Sequence, residues 1–390
     1  MDKQAVIVEA VRTPLGKRGG KLGDHHPADL LGTVLTAAVE RAGIDPAIVD
    51  DVICGCVGQI GEQSSNVGRN AWLAAGLPEE VPATTVDRQC GSSQQAAHFA
   101  AQGVLAGAYD VAIACGVESM TRVPMGSNMT TGGSPFSDTL SSRYAPGLVP
   151  QGISAEIIAE RWSLSRGALD AFGARSHERA LAATRAGEFE REILPIEVGS
   201  NGDSATMTAD EGVREPNLEK MAMLAPVFKE DGVVTAGNSS QITDGAAALV
   251  ITTPEKAKEL GLKPRARFVS FALAGADPVT MLTAPIPATR KALERAGLRL
   301  EDMDAVEINE AFASVVLAWK HDLGIDDTWF DDHVNVRGGA IALGHPLGAS
   351  GARLMTTLLH TLEHRGGRYG LQTMCEGGGL ANATIIERLD

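Results

Sequence analysis

What this 390-residue sequence lacks narrows it first. It holds only five cysteines, with no spacing that suggests a disulfide framework. A reducing compartment is therefore expected. Cys54-Gly-Cys56 is the one close pair, and no nearby histidines complete a zinc set, so no metal is expected. The pair reads as a buried strand end. No apolar run approaches the roughly 20 residues that span a bilayer, so no membrane partner is expected. The opening MDKQAVIVEAVRTP has a short apolar stretch broken by Glu9 and followed by Arg12. It reads as a first strand, not a signal peptide. The closing ERLD matches neither a lipidation site nor a peroxisomal signal. The expected location is cytoplasmic. A basic surplus is also missing: the net charge is −15, which argues against a nucleic-acid partner. An anionic ligand would need local cations or helix N-termini to overcome that field.

What is present is ordinary soluble composition, 44% hydrophobic and 21% charged, long enough for two or three domains. The 44 glycines gather in short turns such as RGGAIALGHPLGASG and CEGGG, as suits a layered α/β protein. Short β-branched runs read as buried strands at 5–8, 51–54, 111–114, 247–252, 305–308 and 384–386. Helical stretches alternate with them at 28–42, 93–106, 287–296, 311–321 and 349–364. The expectation is a largely parallel core covered by helices.

The two ends repeat one plan. DDVICGCVGQ, TTVDRQCGSSQQAAHFAAQGVLAG and YDVAIACGVESMT in the first half are answered by MDAVEINEAFA, VNVRGGAIALGHPLGASGARLMTTLLHTLE and YGLQTMCEGGGL in the second. Cys115 and Cys375 read as matching positions. A duplication with pseudo-two-fold symmetry follows, its turns lining one cleft. Between the halves, SNMTTGGSPFSDTLSSRYAPGLVPQG is polar and irregular and runs into helices, as an inserted substrate-binding loop domain would. A linker is the plainer alternative.

Four residues carry candidate chemistry. Cys90 falls between a strand (VPATTVD) and a helix (GSSQQAAHFAAQGV). Amides and dipole at a helix N-terminus stabilise a thiolate. A buried structural cysteine explains the residue equally well. His345 stands alone among glycines in GGAIALGHPLGASG, where a base toward a thiol would fit. Cys375 ends a strand before three glycines whose amides could bind an oxyanion. Asn309, in AVEINEAFA, could position a water or carbonyl, or cap a helix.

Taken together, RTPLGKRGG, DRQCGSSQQA, TAGNSSQITDGAAA, INEAFA, GGAIALGHPLG and CEGGG resemble the thiolases in order and spacing over nearly the whole chain. The resemblance implies a duplicated five-layer α/β/α/β/α core with an inserted loop domain. It divides the chain into an N-terminal half (1–117 and 244–270), a loop domain (118–243) and a C-terminal half (271–390). It implies a 3-ketoacyl-CoA thiolase, an acyltransferase that uses coenzyme A as substrate with no permanently bound cofactor. By the same resemblance Cys90 is the acylated nucleophile and His345 its base. Cys375 is the proton donor and acceptor, and Asn309 holds a water at one oxyanion hole. The amides of Cys90 and Gly377 form the other. Arg214 and Ser240 match CoA-holding positions. A homodimer or homotetramer is implied, with the run 123–135 as a stretch that could pair between subunits.

Several departures shape the reading. Biosynthetic thiolases carry His-Met-Gly where this chain has Gln151 and Gly152 in VPQGISAE, which favours degradation of a larger 3-ketoacyl-CoA. The Cys90 and Cys375 motifs resemble actinobacterial fatty-acid and steroid side-chain thiolases. Glu376 fills a variable position and is expected to point away from Cys375. Arg337, where many relatives have a small or neutral residue, is expected to meet CoA phosphates or solvent. The alternatives are a biosynthetic acetyl-CoA C-acetyltransferase making acetoacetyl-CoA, a ketoacyl synthase, and a non-catalytic lipid-binding relative. Cys375 speaks against the synthase, and retention of Cys90, Asn309, His345 and Cys375 against the silent relative.

Overall fold

The computed structural model describes residues 3–130, 132–144, 147–199 and 204–389. Thr131, inside the run 123–135, lies outside them. Twelve strands are described. They are β1 (Val6–Arg12), β2 (Gly16–Lys17), β3 (Asp51–Gly55), β4 (Ala83–Val86), β5 (Val111–Ser119), β6 (Ile196–Val198), β7 (Ala205–Met207), β8 (Thr243–Thr252), β9 (Ala266–Gly275), β10 (Ala305–Ile308), β11 (Tyr369–Glu376) and β12 (Leu380–Arg388). The helices are α1 (Pro27–Ala42), α2 (Val67–Ala74), α3 (Ser92–Ala106), α4 (Asp138–Arg143), α5 (Gln151–Arg161), α6 (Arg166–Arg185), α7 (Leu218–Ala222), α8 (Pro254–Glu259), α9 (Pro285–Ala296), α10 (Ala313–Asp322), α11 (Asp327–His333) and α12 (Ser350–Arg365).

Ten strands share one hydrogen-bonded sheet path, in the order β10-β11-β12-β9-β1-β8-β5-β3-β4, with β2 on β8. It is mixed, which corrects the expectation of a largely parallel core. Only β3–β4, β3–β5 and β10–β11 are parallel. The reason is connectivity. The three-residue glycine turn after Glu376 folds β12 straight back on β11, and short turns join only antiparallel strands. In the first half β8, arriving after the inserted segment, takes the corresponding antiparallel place beside β5.

The duplication is visible in the pairing. Parallel β3–β5, then antiparallel β5–β8 and β8–β1, are repeated as β10–β11, β11–β12 and β12–β9. The two halves join where β1 meets β9. Three apolar cores separate the layers. Val34, Leu35 and Trp72 of α1 and α2 pack on the outer face of the first half, and Trp319 and Ala288 of α10 and α9 on that of the second. Between the halves Ala97, Ala100, Met355 and Leu358 of α3 and α12 meet strands of both. The sequence of layers is thus α/β/α/β/α. Helices α3 and α12 are buried almost all round, and a helix placed so must be apolar or self-satisfied on every face.

The symmetry also fixes which residues correspond. Asp50 accepts hydrogen bonds from the amides of Asp110 and Val111, and Asp304 from those of Arg368 and Tyr369. Val111 therefore matches Tyr369. Four residues further on, Cys115 matches Thr373, so the expected Cys115–Cys375 correspondence is two residues out. Cys375 matches Val117, and Glu376 matches Glu118.

The segment between the halves folds as α5, α6 and α7 with a small β6–β7 hairpin. A buried ion cluster fastens it to the core. Arg12 of β1 bonds Glu192 at 2.6 Å and both oxygens of Asp210, at 2.7 and 2.9 Å. Arg337 is drawn into the same cluster, 2.8 Å from Glu188 and 3.9 Å from Glu192, with only 2% of its surface exposed. It faces neither solvent nor a CoA phosphate. Burial without partners would cost a guanidinium several kcal/mol, so it follows the carboxylates inward.

Candidate active site

Two helix N-termini meet at the middle of the molecule. Gly351, in the first turn of α12, lies so close to α3 that a methyl there would run into the backbone of Gln94. Ser93 Oγ accepts the Ala352 amide at 2.8 Å, and Gln372 Nε2 donates to Gly351 O at 2.8 Å. Cys90 stands just ahead of α3 and His345 just ahead of α12. This crossing brings the two into one site.

Cys90 is carried on a tight turn. Gln89 adopts φ +49°, unusual for a side chain with a Cβ, and Gly91 and Ser92 donate back to the Arg88 and Gln89 carbonyls. Ser92 Oγ donates to Gln89 O at 2.6 Å and accepts the Arg88 amide at 2.9 Å, locking the turn. The thiol packs against Leu347, Leu354 and Met374. Burial, with the nearby Glu376 adding to it, pushes Cys90 up to about 12, while its own amide and a hydrogen bond from Gln151 pull the other way. Burial is the largest of these effects, and it opposes the lowering expected of a helix N-terminus.

His345 is oriented from both sides. Ser350 Oγ gives its proton to Pro346 O at 2.8 Å, so at 2.5 Å from His345 Nδ1 it must accept. The proton then sits on Nδ1, and Nε2 keeps its lone pair. Asn309 Nδ2 stands 3.3 Å from that Nε2. Burial, with Arg353 a secondary cause, lowers His345 to about 3, so the imidazole is neutral and basic through the physiological range. Asn309 is fully buried at the end of β10, its amide bonded to Thr373 O, and it caps no helix, since α10 begins after Phe312. Its Oδ1 has no partner among the described residues.

Cys375, at the end of β11, closes the site from the other half. Its thiol is raised well above its ordinary value by burial, then by Cys90 and Glu376. Around it lie Ala155, Ile158, Met281, Leu282 and Phe312. Gly377 touches the nucleophile turn: a methyl there would stand 2.9 Å from Gln89 Oε1. Ser240 donates its amide to Ala311 O. Arg214 lies exposed and bonds only Gly212 O, at 3.3 Å, among the contacts described. Gly212 O also takes Gln241 Nε2, whose backbone carbonyl accepts the His345 amide. Arg214 and Ser240 thus sit on loops adjoining the His345 turn. Among the described residues, no group of three His, Cys, Asp or Glu could hold a metal ion.

Sequence reasoning missed several supporting groups. Glu118 accepts the amides of Val57, Gly58 and Gly348 and the side chain of Gln63, tying the His345 loop to the first half. Glu310 does the same from the second half, accepting from Ser176, Asn335 and the Ile341 amide. Ser350 lay within the quoted glycine motif, and Gln151 within the quoted departure. Neither carried a sign that it faces His345 or Cys90.

A thiol on a helix N-terminus, a neutral imidazole with an unprotonated nitrogen and a second buried thiol are the parts of cysteine-dependent acyl transfer on a duplicated α/β scaffold. The models of the thiolase N-terminal and C-terminal domains match residues 5–255 and 262–388. A steroid 3-ketoacyl-CoA thiolase of Mycobacterium tuberculosis is 52% identical, over 99% of this chain and 94% of its own. An acetyl-CoA acetyltransferase of Syntrophomonas wolfei is 43% identical over the whole of both chains. The crystal structure of the acetyl-CoA acetyltransferase of Bacillus anthracis superposes with a TM-score of 0.91 at 40% identity, covering 99% of each chain. The chain belongs to the thiolase family, and it is an acyltransferase.

Proposed function

We propose that this thiolase cleaves 3-ketoacyl-CoA esters with bulky apolar acyl groups, of the fatty-acid or steroid side-chain kind. The observation that carries the reading is the Cys90–His345–Cys375 constellation opening onto an apolar wall. Phe312, beside Cys375, meets Phe228 edge-on at 5.9 Å, and Met223, Leu224 and Val227, just before Phe228 in the chain, are exposed apolar residues. An exposed apolar rim on a soluble protein marks a surface that meets an apolar ligand. The names of the relatives fit both a degradative and an acetoacetyl-forming enzyme. Gln151 in place of the biosynthetic methionine favours the first.

In the reaction, Cys90 Sγ attacks the 3-keto carbon as its proton passes to His345 Nε2. Both groups rest neutral, so the proton leaves during attack rather than before it. The carbon–carbon bond breaks, and Cys375 gives its proton to the acetyl-CoA enolate. The Cys375 thiolate then takes the proton of incoming CoA, whose sulfur displaces Cys90 from the thioester. Cys90 recovers its proton from His345. Asn309 with His345, and the amides of Cys90 and Gly377, hold the oxyanions, and each well-placed donor contributes about 3–4 kcal/mol. Arg214 and Ser240 hold CoA, which is a substrate and not a resident cofactor. The cooperating parts are 1–117 with 244 onward, 118–243, and a C-terminal half whose start at 271 falls inside β9, a strand that pairs with β12 and so belongs whole to that half. A thiolysis panel running from acetoacetyl-CoA to long-chain and steroid side-chain 3-ketoacyl-CoA esters tests the specificity. Greater kcat/KM for the bulky esters is expected. Equal or better turnover of acetoacetyl-CoA, with rapid acetyl-CoA self-condensation, would assign the enzyme to synthesis.

The same reading makes the protein a cytoplasmic homo-oligomer, a dimer or tetramer. Among the described residues no helix is long and apolar enough to cross a membrane. Closed symmetric assemblies are the common state of soluble oligomers. Light scattering at micromolar concentration should give two or four times the 40.7 kDa chain mass; a monomer there contradicts the assignment.

A further inference from the structure

Glu376 is the one carboxyl of the site that the thiolytic mechanism does not use. It was expected to point away, and it does not. It is fully buried, and its carboxyl lies against the nucleophile turn, where a methyl on Gly91 would collide with Oε1. Only glycine following Cys90 leaves room for it. Neither oxygen makes a well-formed hydrogen bond among the described residues, and the Asn382 amide is the backbone donor directed toward the carboxyl. Its symmetry mate Glu118, equally buried, accepts four N–H donors. The same strand-end carboxyl is thus built as a fully bonded structural acceptor in one half and as a scarcely supported acid beside Cys90 in the other.

We propose that Glu376 is a positioning residue that limits the site to one negative charge, its ionisation opposing that of Cys90 and Cys375. The charged and titratable groups facing it are few. Asp87, Arg88 and Cys90 come from the nucleophile turn, and Cys375 from its own strand. Burial, reinforced by Asp87, holds the carboxyl well above its ordinary range, and Arg88 with the Asn382 amide only partly opposes this. A buried acid with so little support for its charge stays neutral until the cost of keeping its proton exceeds the cost of burying the charge. While neutral, it lets a thiolate form nearby. Once ionised, its charge beside Cys90 and Cys375 opposes a thiolate at either, the direction in which it shifts both thiols.

The inference rests on Cys90 and Cys375 being the working thiols. The test is the pH profile of iodoacetamide alkylation, from about pH 6 to about pH 10, for the parent, Glu376→Gln and Glu376→Met, with the labelled peptide identified by mass spectrometry. The parent and both variants should react alike at the acid end. Toward the alkaline end the parent should flatten as Glu376 ionises, and both variants should react about ten-fold faster, one pKa unit of relief. A merely structural role would scale the whole profile by one factor. Profiles parallel or superimposed across the range overturn the proposal. Label found outside Cys90 and Cys375 overturns the site assignment instead, which keeps the two failures apart. Using two replacements, one isosteric and one apolar, guards against a variant that fails to fold.

Discussion

Replacement of Cys90 by serine is expected to lower thiolysis by roughly 10⁴-fold, the scale on which removal of a catalytic nucleophile reads in other acyl-transfer enzymes. The change is small in volume, and the turn that holds Cys90 is fixed by Ser92, Gln89 and Arg88 rather than by the thiol. Fold and oligomeric state should therefore survive. What is lost is sulfur chemistry. A hydroxyl in the same desolvated position is a far weaker acid and nucleophile than a thiol, so proton transfer to His345 activates it much less. Mass spectrometry after incubation with a 3-ketoacyl-CoA should find an acyl adduct on the parent peptide containing Cys90 and none on the variant. An adduct confined to Cys375 or Cys115 would move the nucleophile elsewhere. Cys115 is a poor rival on structural grounds, because it is fully buried in β5, in register between Cys54 of β3 and Ala248 of β8.

Much of this arrangement was legible in the residues, and the parts that were not share a physical cause. Elements with strong periodicity and clear punctuation were placed within a residue or two: Pro27–Ala42 ends at a left-handed Gly43, and Ala305–Ile308 fell where expected. Strand direction was not legible, because a buried β-branched run reads the same in either sense. Strand β9 escaped notice for a related reason, its half-buried alternation being interrupted by Phe268 and Phe271. At the candidate site, Cys90, His345, Asn309 and Cys375 stood out because each sits in a turn rich in glycine or small polar residues. Glu376 and Arg337 were misread because a charged residue is assigned to solvent by default. What reverses that default is partners from distant segments, as for Arg337 with Glu188, or the absence of any route to water, as for Glu376. Neither is written locally in the chain.

Cys375 and His345 should prove separable, and that separation carries the mechanism. Each substitution should depress overall turnover by about 10²–10⁴-fold, the usual contribution of a general acid–base group. The partial reactions should differ. Nε2 of His345 keeps its lone pair because Ser350 and Asn309 hold the ring, and burial keeps it neutral down to about pH 3. In Cys375→Ser that base is intact, so Cys90 should still be alkylated at neutral pH. The enolate, however, has lost its proton donor, so the variant should not exchange the methyl protons of acetyl-CoA with deuterated water. In His345→Ala the alkylation profile of Cys90 should move to higher pH, since a buried thiol already raised to about 12 then ionises unaided. The raised Cys375 thiol suits its part: it stays protonated at neutral pH, ready to donate, and its thiolate, once formed, is a strong base toward CoA. Methyl-proton exchange at the parent rate in Cys375→Ser would remove Cys375 from the proton path. The buried imidazole and the Glu376 carboxyl would then be the bases left to account for the exchange.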